Sequence, residues 1–463
     1  MDDTLKIAYK AIIIAGYYGF GNTGDEAILS AIIQKLRADL ENPQICVLSG
    51  NPEVVKQIHG TDSIHWEDIK GILEKMTICD VVIIGGGGIF HDYWGVDASS
   101  VFTSRHSGIS FYMTICLMAE LLNKPIVLYS VGIGPLFTDA GKEFTKNILK
   151  KSSLVFVRDQ RSRQEAINLG LHKANIHLSV DPVFGLEDFG ESGNNDLQQN
   201  QQRIITNMDD LPRPLLGISV RNWDINFEQE YWEIEIANAI DLFHDLYGGT
   251  TIFLPFQNSQ EILLDDGKVS ACIQAKLRSK KASIISDIVS IKDTYSIISC
   301  CDLVLGMRLH SIIFALKKSI PFVGIMYDPK LLSIFEHQNL RKFGIDLKSL
   351  NAEKLFALLV NAYKNKPTIE KSLKQISEKK KSVADKDSDF IAGWINKQHT
   401  DPDTFTDNGE DILKATTLSL ISSISDKENK ILFLEARIQE EERKYRLVEN
   451  SLTEQNKNIS ENG

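Results

Sequence analysis

The sequence has few cysteines, and none of them is placed for a disulfide framework or a metal site. Six occur in 463 residues, in apolar surroundings, with no C-x-x-C pair and no histidine at ligand spacing. Paired spacing of that kind marks disulfide-rich domains and zinc sites. We therefore expect reduced thiols in the core and no metal centre.

Long apolar runs are also missing. The longest stretch, Ile109 to Leu122, is too short to span a bilayer and contains Glu120. Met1 to Thr4 carry acids where a secretory signal would carry Lys or Arg. We expect no export signal and no transmembrane helix, and a location in the cytoplasm or at the inner face of the membrane.

An excess of positive charge is absent as well. The formal net charge is −11, which argues against nucleic acid as a partner. An anionic small molecule would need a local group of cations in such a chain. Because 43% of the residues are hydrophobic, a chain of this length has enough apolar side chains for two domains and an appendage.

What the sequence does have is glycine-rich loops placed directly after apolar β-branched runs. In the first, Ala11 to Ile14 predicts a buried strand and Ala27 to Leu36 a helix. Glycines between them allow positive φ and close approach of a ligand, and a helix N-terminus favours an anion. A simple helix cap with a tight turn is the alternative. The predicted substrate contacts here are Gly21, Asn22, Gly24, Asp25 and Glu26.

Two further strands end in glycine loops. Ile78 to Ile84 leads into four consecutive glycines, and Ile126 to Val131 leads into a third loop. Ligands of open parallel sheets bind at the carboxyl ends of the strands. A solvated loop with a capping aspartate is the alternative for the second loop. The predicted substrate contacts in these loops are Gly86, Gly87, Gly88, Asp92, Gly132 and Gly134.

Basic side chains follow three other predicted strands. Arg158 comes after Leu154 to Val157, with a surface pair to Asp159 as the alternative. Arg308 and His310 follow one strand of the second half and Lys330 follows the next. We predict that Arg158 and Arg308 converge on one anion site, and that Arg308 and His310 leave an extended turn on the same side. The guanidinium would then keep the imidazole neutral.

These motifs together resemble the polysaccharide pyruvyl transferase family. The matching pieces are Gly21 to Ala27, Gly85 to Gly88, Val157 to Ser162, Val180 to Pro182, Arg308 to Ser311 and Tyr327 to Lys330. The resemblance implies a fold similar to GT-B glycosyltransferases, and transfer of the enolpyruvyl group of phosphoenolpyruvate to a free or carrier-linked sugar as a cyclic ketal. Phosphoenolpyruvate is then a co-substrate and no cofactor is needed. His310, Arg308, Arg158 and Lys330 are the predicted catalytic residues.

The β-α alternation restarts after a polar stretch and predicts a second doubly wound domain. The predicted fold is α/β, with Rossmann-like domains at residues 1–190 and 206–400 that face a cleft, a linker at 191–205, and an acidic tail at 401–463. Apolar residues every seven positions from Ile424 to Leu452 predict a coiled coil that allows self-association. The alternative functions are a nucleotide-sugar glycosyltransferase and a non-catalytic assembly protein.

Overall fold

A computed structural model describes residues 10–187, 208–223, 228–257, 265–279, 281–285, 290–336 and 340–398. The predicted linker, 191–205, and the predicted tail with its coiled coil, 401–463, lie outside these residues. Within the described residues, no helix combines the length and the apolar character that a membrane crossing requires.

The first sheet has seven parallel strands in the order β3-β2-β1-β4-β5-β6-β7. Alternate residues of β1 belong to opposite cores: Ile12 and Ile14 pack on one face of the sheet, and Ile13 and Ala15 on the other. Burial on both faces explains why this strand is a continuous apolar run. The strands are β1 Ala11–Ala15, β2 Gln44–Ser49, β3 Asp62–His65, β4 Val81–Phe90, β5 Ile126–Ile133, β6 Leu154–Val157 and β7 His177–Leu178.

Six helices accompany this sheet, and several begin at a side chain that caps the first turn. Asn22, Asn51, Asp68, Thr138 and Asp159 each accept a hydrogen bond from a backbone N–H of the helix that follows. The helices are α1 Thr23–Asp39, α2 Pro52–His59, α3 Ile69–Ile78, α4 Gly108–Leu121, α5 Asp139–Lys151 and α6 Gln160–Asn168.

The second sheet has six parallel strands in the order β10-β9-β8-β11-β12-β13. Its strands are β8 Leu215–Ser219, β9 Thr250–Phe253, β10 Ala282–Ile284, β11 Leu303–Gly306, β12 Phe322–Met326 and β13 Gly344–Asp346. The helices around it are α7 Gln229–Tyr247, α8 Asp266–Lys276, α9 Ile291–Cys300, α10 Leu309–Lys317, α11 Pro329–Phe335, α12 Ala352–Lys364 and α13 Lys366–Asn396. The prediction of two doubly wound α/β domains is confirmed.

In each sheet the strand order reverses direction at one place, between β1 and β4 in the first and between β8 and β11 in the second. Crevices for ligands open at such points, outside the carboxyl ends of the strands. The two domains meet on this side, where Thr23 N donates to Phe256 O at 2.8 Å and Asn22 forms a β-bridge with Gln257. The start of α1 therefore lies against the second domain.

The long helix α13 connects the second domain back to the first. Its Ser377 Oγ donates to Lys317 O of α10 at 3.5 Å, whereas its Asp385 pairs with Lys35 of α1 at 2.6 Å. Ser388 Oγ also donates to Asp39 Oδ2 at 3.3 Å. The last described helix thus holds both domains in one arrangement, with the crevices on the same side.

Candidate active site between the two domains

Three of the predicted loop glycines leave space that a charged or titratable side chain fills. A Cβ built on Gly24 would lie 2.0 Å from His310 Nδ1, and one on Gly88 would lie 2.5 Å from Lys330 Cε. A Cβ on Gly132 would lie 2.9 Å from Arg158 Nε. Any larger residue at these positions would displace the side chain that lies there. The glycines therefore allow these three groups to lie directly against the backbone of the first domain.

His310 and Arg158 meet at the buried carboxylate of Asp181. His310 Nε2 lies 3.5 Å from Asp181 Oδ2, and Arg158 Nη1 lies 3.8 Å from the same oxygen. Burial raises the pKa of Asp181, but the neighbouring His310 and Arg158 outweigh burial and hold this pKa below its ordinary value. Asp181 is therefore a carboxylate that orients both side chains. From the sequence, two roles were open for Asp181: a structural one at the last turn of the domain, and a position in the cleft.

The local geometry of His310 differs from the expected extended turn. Helix α10 begins at Leu309, so His310 lies in its first turn and Arg308 is the residue before the helix. The charged group that faces His310 Nε2 is the Asp181 carboxylate, and not the Arg308 guanidinium. The prediction that Arg308 and His310 leave an extended turn on the same side was wrong. Side chains two residues apart share a side along a strand, but a helix begins here.

Arg308 is held by its own domain. Its Nε and Nη2 donate to the two carboxylate oxygens of Asp266 at 2.9 and 2.6 Å, and Nη2 also donates to Gln257 Oε1 at 3.1 Å. Asp266 Oδ2 accepts the backbone N–H groups of Phe256 and Gln257 as well. Arg308 and Arg158 share no ion-pair partner among the described residues. Their convergence on one anion stays a prediction, while the contacts show that Arg308 fixes the loop that touches α1.

Lys330 lies in the first turn of α11. Its Nζ donates to Gly88 O at 3.1 Å and lies 5.9 Å from the centroid of the Tyr93 ring. Burial lowers the pKa of the Lys330 ammonium to about 8, and the positive charges of Arg158 and Arg221 act in the same direction. An ammonium with such a pKa is still charged at neutral pH and readily gains from a bound anion.

The three polar residues of the first loop have different roles. Asn22 Oδ1 accepts the N–H groups of Gly24 and Asp25 and so caps α1. Glu26 Oε1 accepts Gly19 N at 2.6 Å, and its Oε2 lies 3.3 Å from His59 Nε2. Both of these side chains brace the loop. Their contact with substrate stays a prediction.

Asp25 differs from its two neighbours. Its carboxylate makes no hydrogen bond or ion pair with any residue that the structure describes, although His310, Lys330 and Arg158 all act on it electrostatically. Burial raises the pKa of Asp25 to about 6, and the interactions with His310, Lys330 and Arg158 only partly oppose the rise. A carboxyl group of this kind exchanges its proton near neutral pH, so it is suited to act on a bound substrate.

The remaining predicted contacts lie at the edges of this site. Asp92 is buried and holds the next loop, since its oxygens accept Phe137 N and Thr138 N, each at 2.7 Å. Gly87 has a φ of +81°, and a Cβ there would lie 3.0 Å from Asp25 Oδ1. The other predicted glycines, Gly21, Gly86 and Gly134, have φ values of +70°, +42° and +87°. At all four the backbone conformation itself favours glycine.

Arg221 is a residue of the site that the sequence analysis missed. It lies two residues after the end of β8, whereas Arg158 follows β6 directly, and its Nη1 lies 3.3 Å from the hydroxyl of Tyr327. Its guanidinium lies 5.5 Å from the Trp223 ring centroid. The shared position after a buried strand was the signal that would have identified it. No three His, Cys, Asp or Glu side chains within the described ranges are grouped as metal ligands.

Solved structures with the same architecture include a putative nucleotide-sugar epimerase and a complex with UDP-glucose. A putative UDP-N-acetylglucosamine 2-epimerase from Listeria monocytogenes matches with a TM-score of 0.56 and 10% identity, over 82% of this chain and 94% of that one. The Anabaena protein Alr3699/HepE, in complex with UDP-glucose, matches with a TM-score of 0.56 and 10% identity, over 83% and 100%. At this identity the likeness shows the fold alone, which is the GT-B-like one that was predicted.

Sequence comparison gives a more specific result. The amylovoran biosynthesis protein AmsJ of Erwinia amylovora is 20% identical over 409 residues, which cover 81% of this chain and 97% of that protein. The sequence model of the polysaccharide pyruvyl transferases matches residues 22–329, from the cap of α1 to the start of α11. This range contains most of the residues that form the cleft. The chain belongs to the polysaccharide pyruvyl transferase family.

Proposed function

We propose that this protein transfers the enolpyruvyl group of phosphoenolpyruvate to a sugar of a surface polysaccharide or its precursor and closes it as a pyruvate ketal. The observation that carries the proposal is the group of Arg158, His310 and Lys330 around the unpaired Asp25 carboxylate. Family membership and the amylovoran relative support the same chemistry.

Phosphoenolpyruvate has a phosphate and a carboxylate, and both need cations in a chain with a net charge of −11. The planar guanidinium of Arg158 suits a two-point hydrogen bond to either group, and Lys330 acts as a point charge. Arg308 contributes positive charge, and its ion pair with Asp266 fixes the loop of the second domain that touches α1.

The reaction needs a proton at C3 of the enol, which makes C2 electrophilic. A sugar hydroxyl then adds to C2, the C2–O bond to phosphate breaks, and a second hydroxyl of the same sugar adds to close the ketal. One hydroxyl proton replaces the proton delivered to C3, and the other leaves on the phosphate. The sum is phosphoenolpyruvate plus a diol giving a ketal plus inorganic phosphate.

We assign delivery of the proton to C3 to the carboxylic acid form of Asp25. Its pKa of about 6 rises further when a trianionic ligand binds next to it, so the acid form is the one present in the complex. We assign removal of the proton of the acceptor hydroxyl to His310. Asp181 Oδ2 lies 3.5 Å from His310 Nε2 and orients the ring. General acid and base groups of this kind typically contribute about 10²–10⁴-fold each.

Glycosyl transfer from a nucleotide sugar is the competing function, since the Anabaena neighbour contains UDP-glucose and a cationic cleft also suits a diphosphate. The test is thermal unfolding with phosphoenolpyruvate, UDP-glucose or UDP-N-acetylglucosamine. A ligand at 100 times its Kd stabilises by about 2.7 kcal/mol. We expect stabilisation by phosphoenolpyruvate only, and loss of it in Lys330→Met. Stabilisation by the nucleotide sugars alone would favour glycosyl transfer.

A further inference from the structure

Three aromatic side chains lead from the cleft to the protein surface. Tyr93 lies between the other two, with its ring centroid 6.0 Å from that of Trp94 and 5.9 Å from that of Phe137. Trp94 is 74% exposed and Phe137 is 63% exposed. Tyr93, Trp94 and Phe137 are called the aromatic step below. Large apolar rings exposed together beside a polar site commonly mark a ligand surface.

The aromatic step is continuous with the charged site. The Tyr93 hydroxyl donates to Asp328 Oδ2 at 2.8 Å, two residues before Lys330, whose Nζ lies 5.9 Å from the Tyr93 ring centroid. Tyr93 also packs against Trp223 of the second domain, with the centroids 5.9 Å apart. A molecule that lies on the step therefore ends next to the group that we assign to phosphoenolpyruvate.

The backbone that carries the step is fixed. Asp92, the residue before Tyr93, accepts the N–H of Phe137 at 2.7 Å, and it also accepts the N–H and the hydroxyl of Thr138. The two loops that bear the exposed rings are thus tied together by a buried carboxylate. Rings held in this way bind without the cost of ordering a loop.

A polar group without a partner lies at the inner end of the step. His91 Nδ1 is buried and has no hydrogen bond with the described residues, and its ring lies 5.1 Å from Tyr93 and 5.8 Å from Trp94. Burial, followed by the nearby Lys330, Arg221 and Arg158, lowers the pKa of His91 to about 2. The imidazole is therefore neutral, and Nδ1 is available to exchange a hydrogen bond with a hydroxyl.

We infer that the aromatic step holds the sugar ring of the acceptor, and that His91 Nδ1 contacts one of its hydroxyls. A pyranose has an apolar C–H face, which packs on the negative face of an aromatic ring, and a rim of hydroxyls. The step carries no charge, whereas the site beside it is cationic, so the two parts suit the neutral acceptor and the anionic donor respectively. This inference rests on the proposed function.

The test measures sugar binding by ligand-observed NMR in the presence of saturating phosphoenolpyruvate. The probes are the methyl glycosides of glucose, galactose, mannose and N-acetylglucosamine. We expect at least one to bind the wild type, Trp94→Ala and Phe137→Ala to bind it about tenfold more weakly, and Trp94→Phe to retain most of the affinity. Tyr231→Ala is the matched control, because Tyr231 is 55% exposed on α7, in the second domain.

Melting temperatures with and without phosphoenolpyruvate are measured on the same samples. Wild-type affinity in both alanine variants, or no binding of any probe, overturns the acceptor subsite. A change in sedimentation of Trp94→Ala instead identifies a contact between copies of the chain and also overturns it. Sugar binding without any response to phosphoenolpyruvate leaves the subsite in place and contradicts the proposed function.

Discussion

The first domain borders the cleft with bare glycine backbone as well as with Asp25, Arg158 and Asp181, whereas the second domain places charged or titratable side chains against that backbone. Gly24 and Gly88 belong to α1 and β4, and the groups that lie against them, His310 and Lys330, begin α10 and α11 of the other domain. Neither domain alone contains both the glycine and the side chain that lies against it. His310 reaches the N-terminus of α1, and Lys330 reaches β4, only because the glycine at each place has no side chain.

The largest expected effect comes from changing the side chain that lies against Gly24. His310→Gln keeps a side chain of similar reach but removes the ring nitrogens that can accept a proton. We expect phosphoenolpyruvate binding to persist and turnover to fall by about 10²–10⁴-fold. Calorimetric titration of phosphoenolpyruvate and release of inorganic phosphate measure the two properties separately.

The control for this variant is Lys330→Gln, which removes a charge instead of an acid or base and is expected to weaken phosphoenolpyruvate binding. A His310→Gln protein that releases phosphate at the wild-type rate would show that the ring only packs against Gly24. The proton transfer from the acceptor hydroxyl would then have to be assigned to another group.

The glycine side of the pair is tested by Gly24→Ala. Alanine favours a helix by about 1 kcal/mol over glycine, so the fold is retained. Its Cβ, however, would lie 2.0 Å from His310 Nδ1 and would push the ring out of place. A misplacement of about 1 Å costs about 10²-fold in rate, which we expect in kcat.

Gly393→Ala is the matched control, because it lies in α13 and its Cβ would meet nothing within 4 Å. Adding Gly24→Ala to His310→Gln should slow the reaction no further, since both changes remove the same group. If Gly24→Ala alone retains full activity, the contact between the two domains at this point has no role in the orientation of His310.

This pairing shows what the sequence was able to predict. The strands were predictable because runs such as Ala11 to Ile14 are apolar and β-branched, and the glycine loops because they follow those strands. The side chain that lies against each glycine was not predictable. Gly24 and His310, for example, come into contact only because the two domains pack together. The same holds for Arg308, whose guanidinium is bound by Asp266, 42 residues earlier in the chain.

The pH dependence distinguishes the contribution of each domain. Asp25 of the first domain acts in its acid form, which is lost as the pH rises through about 6, and Lys330 of the second acts as the ammonium, which is lost through about 8. Both losses are on the alkaline side. We expect kcat/KM for phosphoenolpyruvate to fall about tenfold per pH unit above 6 and more steeply above 8.

Asp25→Asn should remove the first of these two steps and leave the second, at a much reduced rate. Lys330→Arg, whose guanidinium keeps its charge, should remove the second step only. A profile that rises between pH 6 and 7 would contradict the acid role of Asp25, because it would require the carboxylate form.

The smallest expected effect is on stability, and it has the opposite sign to the effect on activity. The pKa of Asp25 is about 6 in the folded protein and near its ordinary value of 3.8 in the unfolded chain. A raised carboxyl pKa means that the folded state loses stability as the pH rises from about 4 to about 6, after which the loss is complete. Asp25→Asn removes this loss, so at pH 7 we expect the variant to be more stable than the wild type by about 1–3 kcal/mol. Urea unfolding at pH 4 and pH 7 measures the difference, which should be near zero at the lower pH.

Glu26→Gln is the contrasting variant, because it weakens the hydrogen bond from Gly19 N that braces the loop and should destabilise the protein. An Asp25→Asn protein that is less stable than the wild type at pH 7 would show that the Asp25 carboxylate stabilises the folded protein. Burial of this carboxylate would then not destabilise the fold.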